Sequence, residues 1–109
     1  MLDKFDAENT VDNDGNPAGG HVSGIGLEIQ WQEGPLGRGE DRKEPNGAFV
    51  ETVLAAVKQR LEFYQEAAGG KFKCRENGEA IARIDEALLV LDMRTKNREG
   101  RQVEGTHNQ

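Results

Sequence analysis

Two amphipathic helical patterns separated by a pair of glycines constrain this chain more than any other feature. Val50, Val53, Leu54, Val57, Leu61 and Tyr64 recur at three- and four-residue spacing, and so do Ala80, Ile81, Ile84, Ala87, Leu88 and Leu91. That spacing lines each set along one face of an α-helix. Gly69-Gly70 ends the first pattern, because glycine takes the left-handed conformation of a helix C-terminus without a side-chain penalty. A connection this short makes the helices antiparallel. The first is predicted from Asn46-Gly47, either of which can cap it, to about Ala68, and the second starts near Arg75 to Asn77. A thinner apolar row, Phe49, Ala56 and Phe63, gives the first helix a second face to cover, against a strand or another subunit.

Upstream the period changes. From His21, Ile25, Leu27, Ile29 and Trp31 alternate with Gly26, Glu28, Gln30 and Gln32, which is the pattern of a half-buried strand ended by Gly34-Pro35. Residues 34–46 hold too few apolar side chains for anything but a long loop, with or without a short returning strand before the helix. In that loop Arg38, Arg42 and Lys43 interleave with Glu40, Asp41 and Glu44, so their charges largely cancel and a solvated loop is expected. Residues 1–20 are acidic and rich in Gly, Asn and Asp, with Leu2, Phe5 and Val11 isolated; such a stretch reads as a flexible arm. Its DNDGNP run begins like a calcium loop but lacks the acidic residue that would close it. The fold class is therefore α+β, an N-terminal strand or short β-hairpin packed on an antiparallel helical hairpin. Residues 1–20 form the arm and residues 21–109 one domain with a polar tail.

At 109 residues there is room for one modest core. A formal net charge of −6 argues against a general nucleic-acid binder, whose contacting face needs surplus Lys and Arg. The lone Cys74 excludes an intramolecular disulfide and a cysteine-built zinc site, and suits a reducing cytosol. No apolar run approaches the roughly 20 residues that span a bilayer, and the N-terminus carries no secretory pattern. The expected location is cytoplasmic. Phosphate-loop, dinucleotide-fold and paired metal-ligand motifs are all missing, so neither catalysis, a cofactor nor a metal is expected. Cys74 reads as a small packing residue at the hairpin loop rather than a nucleophile.

Three groups of residues suit a small anion. Arg75 and Asn77 stand at a helix N-terminus, where free backbone N–H groups and the helix dipole attract negative charge. Arg94 and Arg98 fall on one side of the second helix together with Arg83, and Thr95 lies on their apolar side. Their planar guanidinium forks match phosphate oxygens, although cations at a helix C-terminus also complement the dipole. In the tail, Glu104, Thr106 and His107 offer an acceptor, a hydroxyl and an imidazole around Gly105, in a segment that composition alone would leave frayed.

The strings Arg60-Leu61-Glu62-Phe63-Tyr64-Gln65 and Cys74-Arg75-Glu76-Asn77, the Glu86-Ala87-Leu88 stretch, Arg94-Thr95, Arg98-Glu99 and Val103-Glu104-Gly105-Thr106-His107 resemble a family of small tailed-phage and prophage proteins. The likeness runs from Asn46 onward and includes the strand before Gly34-Pro35. Gly78 and Val90 depart from it, standing where a better helix former and a bulky aromatic are usual. In layout the hairpin is also similar to phage proteins that sequester nucleotide immune signals of the CBASS and Thoeris defences. That similarity implies a non-enzymatic, homo-oligomeric binder of a cyclic dinucleotide or cyclic ADP-ribose derivative, acting in the cytoplasm of the infected host. Arg75, Asn77, Arg94, Thr95, Arg98, Glu104, Thr106 and His107 would be its ligand-binding residues. The alternative is an accessory or structural phage protein whose hairpin is an oligomerisation unit.

Overall fold

The computed structural model describes all 109 residues, Met1–Gln109. They divide into two compact units, Met1–Phe49 together with Arg101–Gln109, and Val50–Gly100. The chain has the α+β class expected, with a three-stranded antiparallel sheet in the first unit and a helical hairpin in the second.

The sheet is built by β1 (Phe5–Val11), β2 (Pro17–Gly24) and β3 (Leu27–Gln30) in that spatial order. Two sequence expectations change here. Residues 5–11 and part of the 12–20 segment, expected to belong to a flexible arm, form β1, its turn and the start of β2. Backbone pairing supplies the order that apolar content does not, for all seven residues of β1 are exposed. Asp12 makes the turn, its Oδ1 accepting the backbone N–H groups of Asp14 and Asn16 at 2.9 and 3.0 Å. Beyond it, Gly20 has φ +126 and faces Glu8 O so closely that no other residue fits.

The second change concerns the single strand expected from His21 to Trp31. It is two strands, because Ile25 and Gly26 form a two-residue turn between the paired Gly24 and Leu27. Gly26 supplies the left-handed φ of +69 that this turn needs, and Ile25 is left 91% exposed. The alternation survives across the turn only by coincidence of spacing. Val22 and Ile29, paired across β2 and β3, are half-buried. The strand signal at Trp31 becomes an isolated parallel bridge to Ala48.

Between them the 34–46 loop contains one short 3-10 turn, Gly39–Asp41. Asn46 does not cap the first helix. Its Oδ1 accepts Glu33 N–H at 2.8 Å, its Nδ2 donates to Glu33 O, and its own N–H is taken by Gln32 Oε1, so it ties the loop's exit to its entrance.

Helix α1 (Val50–Gly70) and helix α2 (Arg75–Gly100) form the hairpin. The regular part of α1 ends before Ala67, whose ψ is 145°; Ala68 and Gly69 then turn left-handed at φ 53° and 67°. All six positions expected on the inner face of α2 are half-buried, as are Val53, Leu54 and Leu61 of α1. Lys58 reaches between the helices to Asp85 at 2.6 Å. No residue is fully buried, since two helices have no inside. Val50, Val57, Phe63 and Tyr64 on α1 are 40–51% exposed, and Leu89, Val90 and Met93 on the outer side of α2 are 61–62% exposed. None of the helices is long and apolar enough to cross a membrane.

Candidate functional site

The residues expected to bind a ligand fall into three places. At the start of α2, Cys74 precedes the first helical residue and is held by Gln65 of α1, whose Oε1 accepts Cys74 N–H at 2.9 Å and whose Nε2 donates to Cys74 O at 3.0 Å. A side chain from the neighbouring helix thus fixes the peptide where an N-cap would normally act. Just beyond it, Arg75 pairs with Glu79 one turn on at 2.8 Å and keeps 79% of its side chain exposed, while Asn77 is half-buried.

The second group lies near the other end of α2. Arg94 is exposed and Arg98 half-buried. Thr95 spends its hydroxyl on its own helix, donating to Leu91 O at 3.2 Å. Arg83, on the same side by helical geometry, pairs with Glu86 at 2.9 Å. From Arg75 to Arg98 the helix rises about 35 Å at 1.5 Å per residue. One small ligand cannot touch both ends within one chain.

The third group sits in the other unit, where the tail is ordered against the 34–46 loop. Gly37 N–H donates to Gly105 O at 2.8 Å, Arg38 Nη1 to Glu104 O at 3.0 Å, and Arg42 Nη1 to Glu104 Oε2 at 2.7 Å. Gly105 has φ +80, and any Cβ there would run into Gly37 O. Thr106 closes a tight turn by donating its hydroxyl to Val103 O at 2.5 Å, and Asn108 N–H donates back to it. The imidazole of His107 lies 3.4 Å from Asn16 Nδ2 at the β1–β2 turn. Hydrogen bonding from Asn16 N–H lowers the Asp12 carboxyl from its ordinary value of 3.8, desolvation opposes this, and His107 adds a smaller attraction.

Arg38 and Arg42 are therefore the residues that sequence reading passed over. Interleaved acids made their loop look neutral, but the two arginines act through geometry, each reaching the same tail segment. The available signal for Arg38 was the Gly37-Arg38-Gly39 string, whose glycines take φ +87 and +60. Elsewhere, a shallow open depression on the sheet is lined by Thr10, His21, Ser23, Glu28 and Gln30 and contains none of the expected residues. No cluster of three or more His, Cys, Asp or Glu side chains is arranged to hold a metal ion.

The Acb2/Tad1 hairpin-domain model matches residues 23–96, covering β3, the long loop and nearly all of both helices. A relative named Thoeris anti-defense 1, from Bacillus phage SBSphiJ7, is 45% identical over 79 residues. That stretch is 72% of this chain and 51% of the relative, so the chain spans about half the length of the curated relative it matches. The family model takes in the helical hairpin that the two apolar stripes build, and on these two matches the chain belongs to the Acb2/Tad1 hairpin-domain family.

Proposed function

We propose that this protein is a phage anti-defence protein that binds and sequesters a small phosphorylated nucleotide immune signal, a cyclic dinucleotide or a cyclic ADP-ribose derivative, without cleaving it. The observation that carries the reading is kinship with a phage protein named for Thoeris anti-defence. The geometry supports it in two ways. Arg75 with Asn77, and Arg94 with Arg98, place anion-suited groups at opposite ends of one helix. Joining such ends on one ligand takes a second copy of the chain, and the exposed Leu89, Val90 and Met93 offer a surface for one. Glu104 and Thr106 contribute through the tail that they order, and His107 remains exposed at its end. Sequestration needs tight binding and no reacting group, which suits a site of guanidinium forks and helix-end N–H groups. The expected setting is the host cytoplasm, with no cofactor and no nucleic-acid polymer as partner.

The test is thermal unfolding with and without cyclic dinucleotides and cyclic ADP-ribose isomers, beside native mass spectrometry for stoichiometry. A ligand held only by the native state at a hundred times its Kd stabilises it by about 2.7 kcal/mol. The double variant Arg94→Ala/Arg98→Ala should lose that shift while keeping its assembly. An unshifted melting temperature with every nucleotide, together with a monomeric mass, refutes the proposal. The same exposed apolar rows favour a second reading, an oligomeric phage accessory protein that binds other proteins. In that case nucleotides leave the melt unchanged, and the arginine variants lose a phage or host protein in pull-downs.

A further inference from the structure

The proposed nucleotide function uses the contact between tail and loop only to order the tail, but the contact has a form of its own. Three donors from one short loop, Gly37 N–H, Arg38 Nη1 and Arg42 Nη1, converge on three oxygens of two consecutive residues, Gly105 O, Glu104 O and Glu104 Oε2. One of these oxygens belongs to a carboxylate, and the other two are carbonyls held next to it. Backbone N–H plus two guanidinium groups facing clustered oxygens is the donor set that grips an oxyanion. The loop also carries contacts of its own that do not involve the tail. Gly37 and Gly39 hold left-handed backbone at φ +87 and +60, Lys43 N–H closes the loop by donating to Leu36 O at 2.7 Å, and Arg42 also touches Gly37 O at 3.4 Å. Glu40, Asp41, Lys43 and Glu44 surround the arginines, so bulk positive charge does not explain the grip.

The geometry points to an anion cradle in the Gly37–Arg42 loop that the chain's own Glu104–Gly105 segment occupies, so that a phosphate-bearing ligand takes it by displacing the tail. The tail is a built-in competitor. Arg42 and Glu104 keep 43% and 23% of their side-chain surface exposed, so the ion pair is reachable and of the weak, solvent-screened kind. A terminal phosphate carries more charge than a carboxylate and a third non-bridging oxygen, and can satisfy all three donors at once. Ligand entry and tail release are then a single exchange, which reports binding to whatever contacts the tail. The inference does not rest on the nucleotide reading, and its residues lie in a different unit from Arg94 and Arg98.

The experiment is a titration of the full 15N-labelled chain with inorganic pyrophosphate, against sodium chloride at matched ionic strength, followed by amide and arginine side-chain NMR signals. In the unaltered chain, signals of Gly37, Arg38, Arg42 and Gly105 should shift saturably, and Thr106 to Asn108 should become more mobile as pyrophosphate binds. Glu104→Gln removes the competing charge and should tighten pyrophosphate binding by about twofold to fivefold, the range set by an exposed ion pair. Gly105→Ala expels the tail sterically with no change of charge and should tighten binding at least as much, while Arg42→Ala should weaken it. Equal or weaker binding by both tail variants overturns the inference, as do shifts that sodium chloride reproduces. Failure here leaves the nucleotide melt of the unaltered chain intact, and a negative nucleotide melt leaves this titration intact.

Discussion

Replacing Gln65 by alanine is the sharpest test of how the hairpin holds its second helix in place. Gln65 makes two hydrogen bonds to the Cys74 peptide, at 2.9 and 3.0 Å, from the last regular turn of α1. Each such bond contributes roughly 0.5–1.5 kcal/mol net, and loss of an N-cap costs about the same. Cys74 O keeps its other donor, Gly78 N–H at 3.3 Å, and the freed Cys74 N–H can turn to water. The loss should therefore lie in the lower part of the range, about 1–2 kcal/mol, felt first at the start of α2. Native-state hydrogen exchange at fixed protein concentration is the right assay, because the stability of an assembling chain depends on concentration. Protection at Cys74 and over the first turn of α2 should fall about fivefold to thirtyfold, with amides near Leu91 much less affected. Gln65→Glu keeps the acceptor but loses the donor to Cys74 O, and should fall between the two. Exchange at Cys74 within about twofold of the unaltered chain would show that α2 is positioned by apolar packing alone.

Ala68 sits left-handed at φ 53°, where L-residues other than glycine are disfavoured, so Ala68→Gly should stabilise the hairpin by about 0.5–1 kcal/mol in chemical denaturation. The hydrogen bond and charge of Asp85 raise the Lys58 ammonium above its ordinary 10.5, so its contribution is fully present below that value and lost as pH rises through the raised pKa; Lys58→Gln should flatten the alkaline limb of the stability profile. Asp12 behaves in the opposite sense. Its carboxyl is lowered below 3.8, so its contribution is present above that value and lost as pH falls through the lowered pKa; Asp12→Asn should remove this acid dependence, read from β1–β2 amide shifts.

The hairpin was legible because its signals are local and redundant. Six apolar positions on α2 repeat with one period, and a glycine pair ends α1 where Ala68 and Gly69 turn left-handed. The sheet was not, because its order rests on backbone pairing rather than apolar content. Phe5–Val11 has no buried side chain to announce a strand, and what holds it is the register from Phe5↔Gly24 to Val11↔Pro17, started by an aspartate turn. Ile25 misled for a related reason. A two-residue turn pairs residue i with i+3 on one face, so the inward positions change parity from Val22 to Ile29, and an apolar Ile25 in the turn itself hid that change. Gly24 and Gly26 flanking Ile25 were the usable clue.

Site residues divide along the same line. Arg75, Asn77, Arg94 and Arg98 could be nominated because a helix has ends and faces that the sequence specifies. Thr95 shows the limit of that argument, since a hydroxyl in mid-helix has an acceptor four residues back and takes it at Leu91 O. Glu104 was nominated as a ligand acceptor, and here it is an acceptor for Arg42, 62 residues earlier in the chain. Composition counted Arg42 as cancelled by its neighbours Glu40, Asp41 and Glu44, yet the carboxylate it meets at 2.7 Å is that of Glu104. Charge balance in a loop predicts the far field and says nothing of which guanidinium meets which oxygen, because at contact distance the outcome depends on backbone direction. In this loop that direction comes from two glycines with positive φ. Arg38, flanked by those glycines, and Arg42, between Asp41 and Lys43, both meet Glu104 although the loop around them is neutral, so an arginine in such a loop is read by the oxygen it reaches and not by the average charge of its neighbours.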